Sequence, residues 1–213
     1  MFPHASFPPG TIVLLYDPDP GQSFFTRLVR GVALAAIRAH QRILYPKSKR
    51  TGAIHAVIKR PDGKWFSVTS PRAVLLDVPC HADERARAIY WIGCDLFTSR
   101  CWDAFNRASD MLVGKPYDYG QLADIAINRL FGWSPKPRRI LDLGKKRTVC
   151  SAGCMIALYA GWQQLPPVPL SDRTDYPKPN TRRDGSLMFV EHTPPAFFDC
   201  NEPRYVLWSE QNF

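Results

Sequence analysis

The segment KKRTVCSAGCMIALYAG, residues 145–161, decides how this chain is interpreted, because it places two cysteines one helical turn apart before an apolar run. The run predicts a helix that begins near Cys150. The first amides of a helix carry a partial positive charge, which stabilises a thiolate. The three cations at 145–147 act in the same direction. We therefore expect Cys150 to be exposed and activated, and Cys154 to be packed.

Three other interpretations of these two cysteines stand beside that one. A disulfide between them is disfavoured, because residues i and i+4 of one helix are poorly placed for S–S geometry. A zinc site is weakly indicated, since no second pair of cysteines or histidines stands nearby. Two structural cysteines in the core remain a possible interpretation. The sequence predicts no metal and no cofactor, and we expect most of the six cysteines to be reduced and buried.

A thiolate nucleophile needs a histidine as its base, presented from a fixed part of the scaffold. The chain has five histidines, and His55, in GAIHAVI, is the one within a strand-like segment. The others occupy proline-rich or polar loops or the basic helix: His4, His40, His81 and His192. His55 is therefore the candidate base, although a lone histidine on a strand is more often structural.

Alternation, turn residues and helical periodicity predict an α+β chain, organised as a single domain over residues 1–213. The predicted strands are 10–17, 53–59, 64–69, 72–79 and 204–208. Helical patterns cover 23–44, 82–97, 101–114 and 116–132, and a further helix begins at Cys150. The two strands 53–59 and 64–69 are joined by RPDG, a turn sequence, and so predict a β-hairpin.

The order of five short motifs resembles a known family. They are GTIVLLYD, GAIHAVI, RPDGKWFSV, GKPYDYGQL and TVCSAGCMIALYAG. This order is similar to that of the circularly permuted NlpC-type, papain-like cysteine hydrolases, in which the strand with the catalytic histidine precedes the helix with the catalytic cysteine. The resemblance covers most of residues 10–162. It implies a papain-like fold with a small antiparallel sheet packed on helices, and it implies that Cys150 and His55 are catalytic.

The resemblance also implies further site residues. Members usually carry a third polar residue, often Glu, on the strand after the histidine. The position twelve residues beyond His55 is Ser67, whose hydroxyl can accept the imidazole N–H bond but supplies no charge. Tyr117 or Tyr119 could donate to the oxyanion or line the substrate cleft. The alternative for these tyrosines is packing of the turn.

The implied chemistry is acyl transfer through a thioester on Cys150. The first interpretation is a peptidoglycan amidase or endopeptidase that acts on bacterial cell-wall peptides. The second is a thiol lipase or acyltransferase that acts on phospholipid esters. The third, of another class, is a catalytically inactive binding or structural module. The absence of a carboxylate at Ser67 favours the third, and an activated cysteine favours the first two.

The net charge of +9 is confined to residues 20–61, a window with nine cations and no acid. Such a window favours an anionic partner, which could be wall polymer, phospholipid head groups or nucleic acid. The alternative is a solvated helix face that happens to be basic. No nucleic-acid-reading motif accompanies it, so no specific nucleic acid is expected. The apolar stripe of the 23–44 helix suits packing on the domain, or a helix lying at a membrane surface. Its members are Leu28, Val32, Ala35, Ala39 and Ile43.

The sequence contains no recognisable secretory signal and no apolar run long enough to span a membrane. We expect synthesis in the cytoplasm. Action on a cell wall would then need delivery to the periplasm or wall by a phage particle or a secretion system, through association with a phage tail or a secretion apparatus.

Overall fold

The computed structural model describes residues 4–16, 35, 38–39, 41–42, 52–69, 71–79, 85–118, 149–166, 198 and 204–209. Within them the protein is α+β. The strands are β1 (Ile12–Leu15), β2 (His55–Lys59), β3 (Trp65–Val68), β4 (Ala73–Leu76), β5 (Ala86–Trp91) and β6 (Arg204–Ser209). The helices are α1 (Ser99–Asp110) and α2 (Cys150–Trp162), with 3-10 turns at His4–Ser6 and Ile92–Leu96.

The six strands form one antiparallel sheet in the order β4-β3-β2-β1-β5-β6. The five predicted strands are confirmed, each within one or two residues of its bounds or trimmed at the ends. The β2–β3 hairpin turns where the sequence predicted, since Gly63 adopts φ +84°, which a residue with a Cβ rarely does. The Asp62 carboxylate accepts the Lys64 amide at 3.1 Å across this turn.

The helical prediction for 82–97 is wrong. The chain there forms β5, Ala86–Trp91, followed by the 3-10 turn Ile92–Leu96. β5 lies inside the sheet between β1 and β6, and all its side chains but Arg87 are buried. A strand buried on both faces has no strict alternation, so its apolar run resembles that of a buried helix.

The other helical predictions have mixed outcomes. The pattern at 101–114 corresponds to α1, which ends at Asp110 rather than at Gly114. The pattern at 116–132 predicts a helix after a turn; its residues from 119 onward lie outside the described residues, and Pro116 forms a bridge with Arg72. For the 23–44 helix, the positions described at 35, 38, 39, 41 and 42 are helical, and its other positions lie outside the described residues.

Helix α2 packs against one face of β2 and β3, and its other side packs on α1. The contact with the sheet is close at Gly153, where a Cβ would stand 2.5 Å from Val68 Cγ2. The opposite face of the sheet has a smaller core that includes Val57 and Trp65. Ala56, one residue from Val57, belongs to the core on the α2 side, as strand alternation requires.

Two cations of the basic window are internal and do not belong to a basic surface. Lys59 Nζ donates to the carbonyls of Ala5 at 3.0 Å and Phe7 at 2.7 Å, and burial lowers the pKa of the lysine. Arg60 pairs with the carboxylates of Asp62 and Asp110. The sequence pattern could not separate these two cations from an exposed one such as Arg42.

Candidate functional site

Cys150 is the first residue of α2, as the sequence predicted. Val149 precedes it in an extended conformation, with φ −105° and ψ 163°, and the helix starts without a side-chain cap. The first intrahelical bond at this end runs from the Gly153 amide to the Val149 carbonyl at 2.9 Å. Amides in the first turn of a helix have no acceptor within it, so they can serve an anion placed at its start.

The sulfur of Cys150 uses such donors. The main-chain amides of Ala56, Ser151 and Cys150, and the Ser151 hydroxyl, all act to lower the pKa of the thiol. Burial acts more strongly in the other direction, and the resulting pKa lies above the ordinary value for a cysteine. Cys150 therefore rests as a protonated thiol.

The expectation that Cys150 is exposed and activated is wrong for this structure. Its side chain is 3% exposed, because α2 lies flat on the sheet and buries the inner side of its first turn. A helix start is exposed only where nothing packs over it, and that depends on tertiary contacts which the local sequence does not reveal. Cys154 is fully buried as predicted, and burial raises the pKa of its thiol further.

Both thiols contact the main chain of β2 near His55. Cys150 Sγ lies 4.0 Å from the Ile54 carbonyl oxygen, and Cys154 Sγ lies 3.6 Å from that of Ala56. The hydrogen-bonded pairing of β2 with β3 ends at Val57 and Ser67, just before this point. The first turn of α2 therefore contacts β2 at the end of the strand that is no longer paired with β3.

His55 and Ser67 are brought together. Nε2 of the imidazole lies 3.0 Å from the Ser67 hydroxyl oxygen, at hydrogen-bonding distance. Ser67 is 1% exposed and His55 is partly exposed. The two residues occupy diagonal positions of the β2–β3 hairpin, which is why a spacing of twelve residues finds the partner. Either group could donate in this bond, according to the tautomer of the ring.

Cys150 and His55 approach the same end of β2 from different faces. Ala56 faces α2, so His55 and Val57 alternate onto the other face, where Ser67 lies. Among the described residues, the thiol of Cys150 contacts main-chain groups of 54 and 56 and its own helical turn. The structure thus brings the sulfur to the residues on either side of His55.

Of the two candidate tyrosines, Tyr117 is described. Tyr117 is partly buried, packs against the core that contains Cys150, and donates its amide to the Pro71 carbonyl at 3.1 Å. These contacts fit the alternative of turn packing. Tyr119 lies outside the described residues.

Two donors around the sulfur were not predicted. The Ser151 hydroxyl follows from its position directly after the cysteine in a first helical turn, a signal that the sequence does contain. The Ala56 amide is a main-chain group of a distant strand, and no local pattern could identify it. Both act on Cys150 in the structure.

Within the described ranges, no group of three or more His, Cys, Asp or Glu side chains is arranged to hold a metal ion. The four cysteines described, Cys94, Cys101, Cys150 and Cys154, are free and buried, which confirms that part of the cysteine prediction. No helix in the described part of the chain is both long enough and apolar enough to cross a membrane. Comparisons with protein-family models, curated proteins and solved structures find no match to this chain.

Proposed function

We propose that this protein is a thiol hydrolase with a circularly permuted papain-like fold, in which Cys150 is the nucleophile and His55 the base. One observation carries the proposal. The Cys150 sulfur, surrounded by amide donors, contacts the main chain of the residues that flank His55, and the imidazole is held by Ser67. Under this proposal the nucleophile, the base and the orienting group all belong to one end of β2.

The hydrogen bond with Ser67 gives the two ring nitrogens of His55 separate roles. Ser67 bonds to Nε2, so proton transfer with the sulfur falls to Nδ1, the ring nitrogen nearer the main chain that Cys150 contacts. Because the ring and the sulfur lie on different faces of β2, the reaction requires a rearrangement of the first residues of this strand that carries the imidazole to the side of α2.

The proposed reaction begins from the protonated thiol. His55 removes the proton as the sulfur attacks the substrate carbonyl, and the oxyanion that forms is stabilised by the Cys150 amide and a second donor. The carbon–nitrogen bond then breaks, and the imidazolium protonates the leaving amine. Water, deprotonated by His55, attacks the thioester, releasing the carboxylic acid and restoring the thiol of Cys150.

The proposed substrate is an amide bond in the peptide of bacterial peptidoglycan, which is the first class that the family resemblance implies. A phospholipid ester is the alternative substrate for the same nucleophile. The test is product formation from purified peptidoglycan and, separately, from phospholipid vesicles, followed by mass spectrometry for the wild type, Cys150→Ala and Cys154→Ala. We expect wall peptides from the wild type and Cys154→Ala, and none from Cys150→Ala.

A second candidate function is a binding module that retains the fold without turnover. The burial of Cys150, the raised pKa of its thiol and the neutral Ser67 favour it. In the same assay, wild type and Cys150→Ala would then be equally inert on both substrates. Product from vesicles alone would assign the lipase alternative instead.

A further inference from the structure

Two side chains from one helical turn contact the two strands beside His55. Arg38 Nη2 donates to the Tyr16 carbonyl at 2.9 Å, and Gln41 Nε2 donates to the Ala53 carbonyl at 2.8 Å. Tyr16 follows β1 directly, and Ala53 precedes β2 by two residues. Positions 38 and 41 are helical and three residues apart, so their side chains share one face of the helix. This face is therefore attached to both strands at the His55 end of the sheet.

The other described positions of this helix are exposed: Ala35, Ala39 and Arg42. Ala35 and Ala39 belong to the apolar stripe of the 23–44 pattern. The interpretation that this stripe packs on the domain is therefore wrong at the two positions described. Where the helix is described, its attachment to the sheet is polar.

The two attachments differ in how firmly they fix the main chain. Tyr16 has a second anchor besides Arg38, because its amide donates to the Arg85 carbonyl at 3.0 Å. Gln41 and Ala53 are both fully buried, so their hydrogen bond is shielded from water and strengthened by the apolar surroundings. The position of Ala53 therefore depends on Gln41.

The peptide unit between Ala53 and Ile54 is held at both of its polar ends. Its carbonyl accepts from Gln41, and its N–H, which belongs to Ile54, donates to the Leu15 carbonyl at 2.8 Å. The next carbonyl, that of Ile54, lies 4.0 Å from Cys150 Sγ. Gln41 therefore fixes the peptide unit that directly precedes the contact with the sulfur.

His55 lies between this anchored peptide and the first residue of β2 that is paired on both sides. That residue is Val57, which pairs with β1 and with β3. The rearrangement that the proposed reaction requires falls between these two fixed points. A short stretch held at both ends has few conformations, so it can bring the imidazole to one defined place.

We propose that Gln41 is a positioning residue for His55, acting through its hydrogen bond to the Ala53 carbonyl. The inference rests on the proposed function, because the anchor directs the movement of His55 toward Cys150. Loss of the anchor should lower kcat about tenfold, since misplacing a reacting group by about 1 Å can cost roughly 10²-fold. KM should change little, because no contact with the substrate is removed.

The first test is Gln41→Met, which keeps the length of the side chain and removes the donor. Its matched control is Arg42→Met, at the exposed next residue of the same helix. Two quantities are measured per folded molecule: kcat and KM on purified peptidoglycan, and the NMR signal of the His55 ring, assigned with His55→Gln. We expect Gln41→Met to lower kcat and shift the ring signal, and Arg42→Met to change neither.

The second test is Gln41→Glu, which donates to the Ala53 carbonyl only while its carboxyl group is protonated. Burial raises the pKa of a carboxyl group by several units, so the ratio of its kcat to that of the wild type should fall between about pH 5 and about pH 9. The same ratio for Gln41→Met should not change with pH. A merely structural role would lower stability without producing this difference.

An unchanged His55 ring signal in Gln41→Met overturns the inference, and so does an equal shift in Arg42→Met. Wild-type kcat in Gln41→Met also overturns it. If the wild type shows no turnover at all, the proposed function fails, and the ring signal alone then decides whether Gln41 positions His55. The two failures are therefore distinguishable.

Discussion

Buried polar groups at the two ends of β2 have different kinds of hydrogen-bond partner. At the Lys59 end, each cation meets full partners: carbonyl oxygens for Lys59, and two carboxylates and the Ser109 hydroxyl for Arg60. At the His55 end, the partners are weak or neutral: thiols against main-chain groups, and a hydroxyl against the imidazole.

If Cys150 and His55 are catalytic as proposed, this difference separates a structural end of β2 from a reactive one. Charged groups with matched partners stabilise the fold and have little tendency to react, because any change leaves a buried charge without compensation. Thiols and an imidazole held by neutral partners can exchange a hydrogen-bond partner at small cost, because no charge is left without compensation. We therefore expect mutations at the Lys59 end to affect the free energy of unfolding, and mutations at the His55 end to affect chemistry.

The largest effect is expected at the reactive end. Cys150→Ala should lower turnover by at least about 10³-fold, because it removes the attacking atom. Cys154→Ala, one turn away in the same core, is the matched control and should retain turnover. Product formation from purified peptidoglycan, the proposed substrate, measures both. Equal loss in the two variants would indicate that packing of α2, and not a nucleophile at Cys150, controls activity.

At the structural end, Arg60→Ala should lower the free energy of unfolding by about 2 kcal/mol. This is less than the roughly 3–5 kcal/mol found when a wholly buried pair is broken, because Asp62 and Asp110 are partly exposed and can be hydrated. Arg72 is an exposed arginine directly before β4, and Arg72→Ala should change the free energy of unfolding by less than about 0.5 kcal/mol. Urea denaturation of both variants is the measurement. Similar losses of unfolding free energy in the two variants would contradict a structural role for the Lys59 end of β2.

The two ends should also respond to alkaline pH with opposite signs. At the His55 end burial raises the pKa values of Cys150 and Cys154, as it does that of Cys94 elsewhere in the core, so the unfolded chain loses these protons first and stability falls as pH rises above about 8.5. Burial lowers the pKa of Lys59, so the folded chain loses that proton first, and stability rises with pH between the folded and unfolded pKa values.

Three thiols outweigh one lysine, and net stability should decline between pH 8 and pH 10. Cys154→Ala should make this decline shallower, by up to about 1.4 kcal/mol per pH unit. Lys59→Met should make it steeper in the upper part of the range. Thermal or urea unfolding at several pH values measures both slopes, and a wild-type stability that rises throughout this interval would contradict the assignment.

The smallest effect is expected at Ser67. Ser67→Ala removes one neutral hydrogen bond to the imidazole, worth about 1 kcal/mol, and should lower kcat about fivefold with little change in KM. Ser67→Asn, which can still bond to the ring, should recover part of the loss. A merely structural role would instead appear as lower stability with kcat per folded molecule unchanged.

The β2–β3 hairpin and the helix start at Cys150 could be predicted because their signals are local. RPDG defines the turn, and the spacing from His55 to Ser67 follows from hairpin geometry. The position of α2 over Cys150 could not be predicted, since burial at a helix start depends on which sheet face packs against it. For the same reason the apolar run of β5, which is buried on both faces, predicts a helix from the sequence alone.

The basic window shows the same limit of sequence reasoning. Composition located nine cations between residues 20 and 61. It could not reveal that Lys59 and Arg60 turn inward at the end of β2, or that Ala35 and Ala39 face outward. Both facts depend on long-range partners, such as Asp110 and the Ala53 carbonyl.

The central claim, that His55 activates Cys150 for attack on a carbonyl, is tested most directly by trapping the thioester. Wild type, His55→Ala and Cys150→Ala would be mixed with purified peptidoglycan peptides, quenched in acid and measured by intact-protein mass spectrometry. The account predicts an acyl adduct on Cys150 that hydroxylamine removes, present in the wild type and absent from both variants. An equal adduct in His55→Ala, or product formation with Cys150 unmodified throughout, would contradict it.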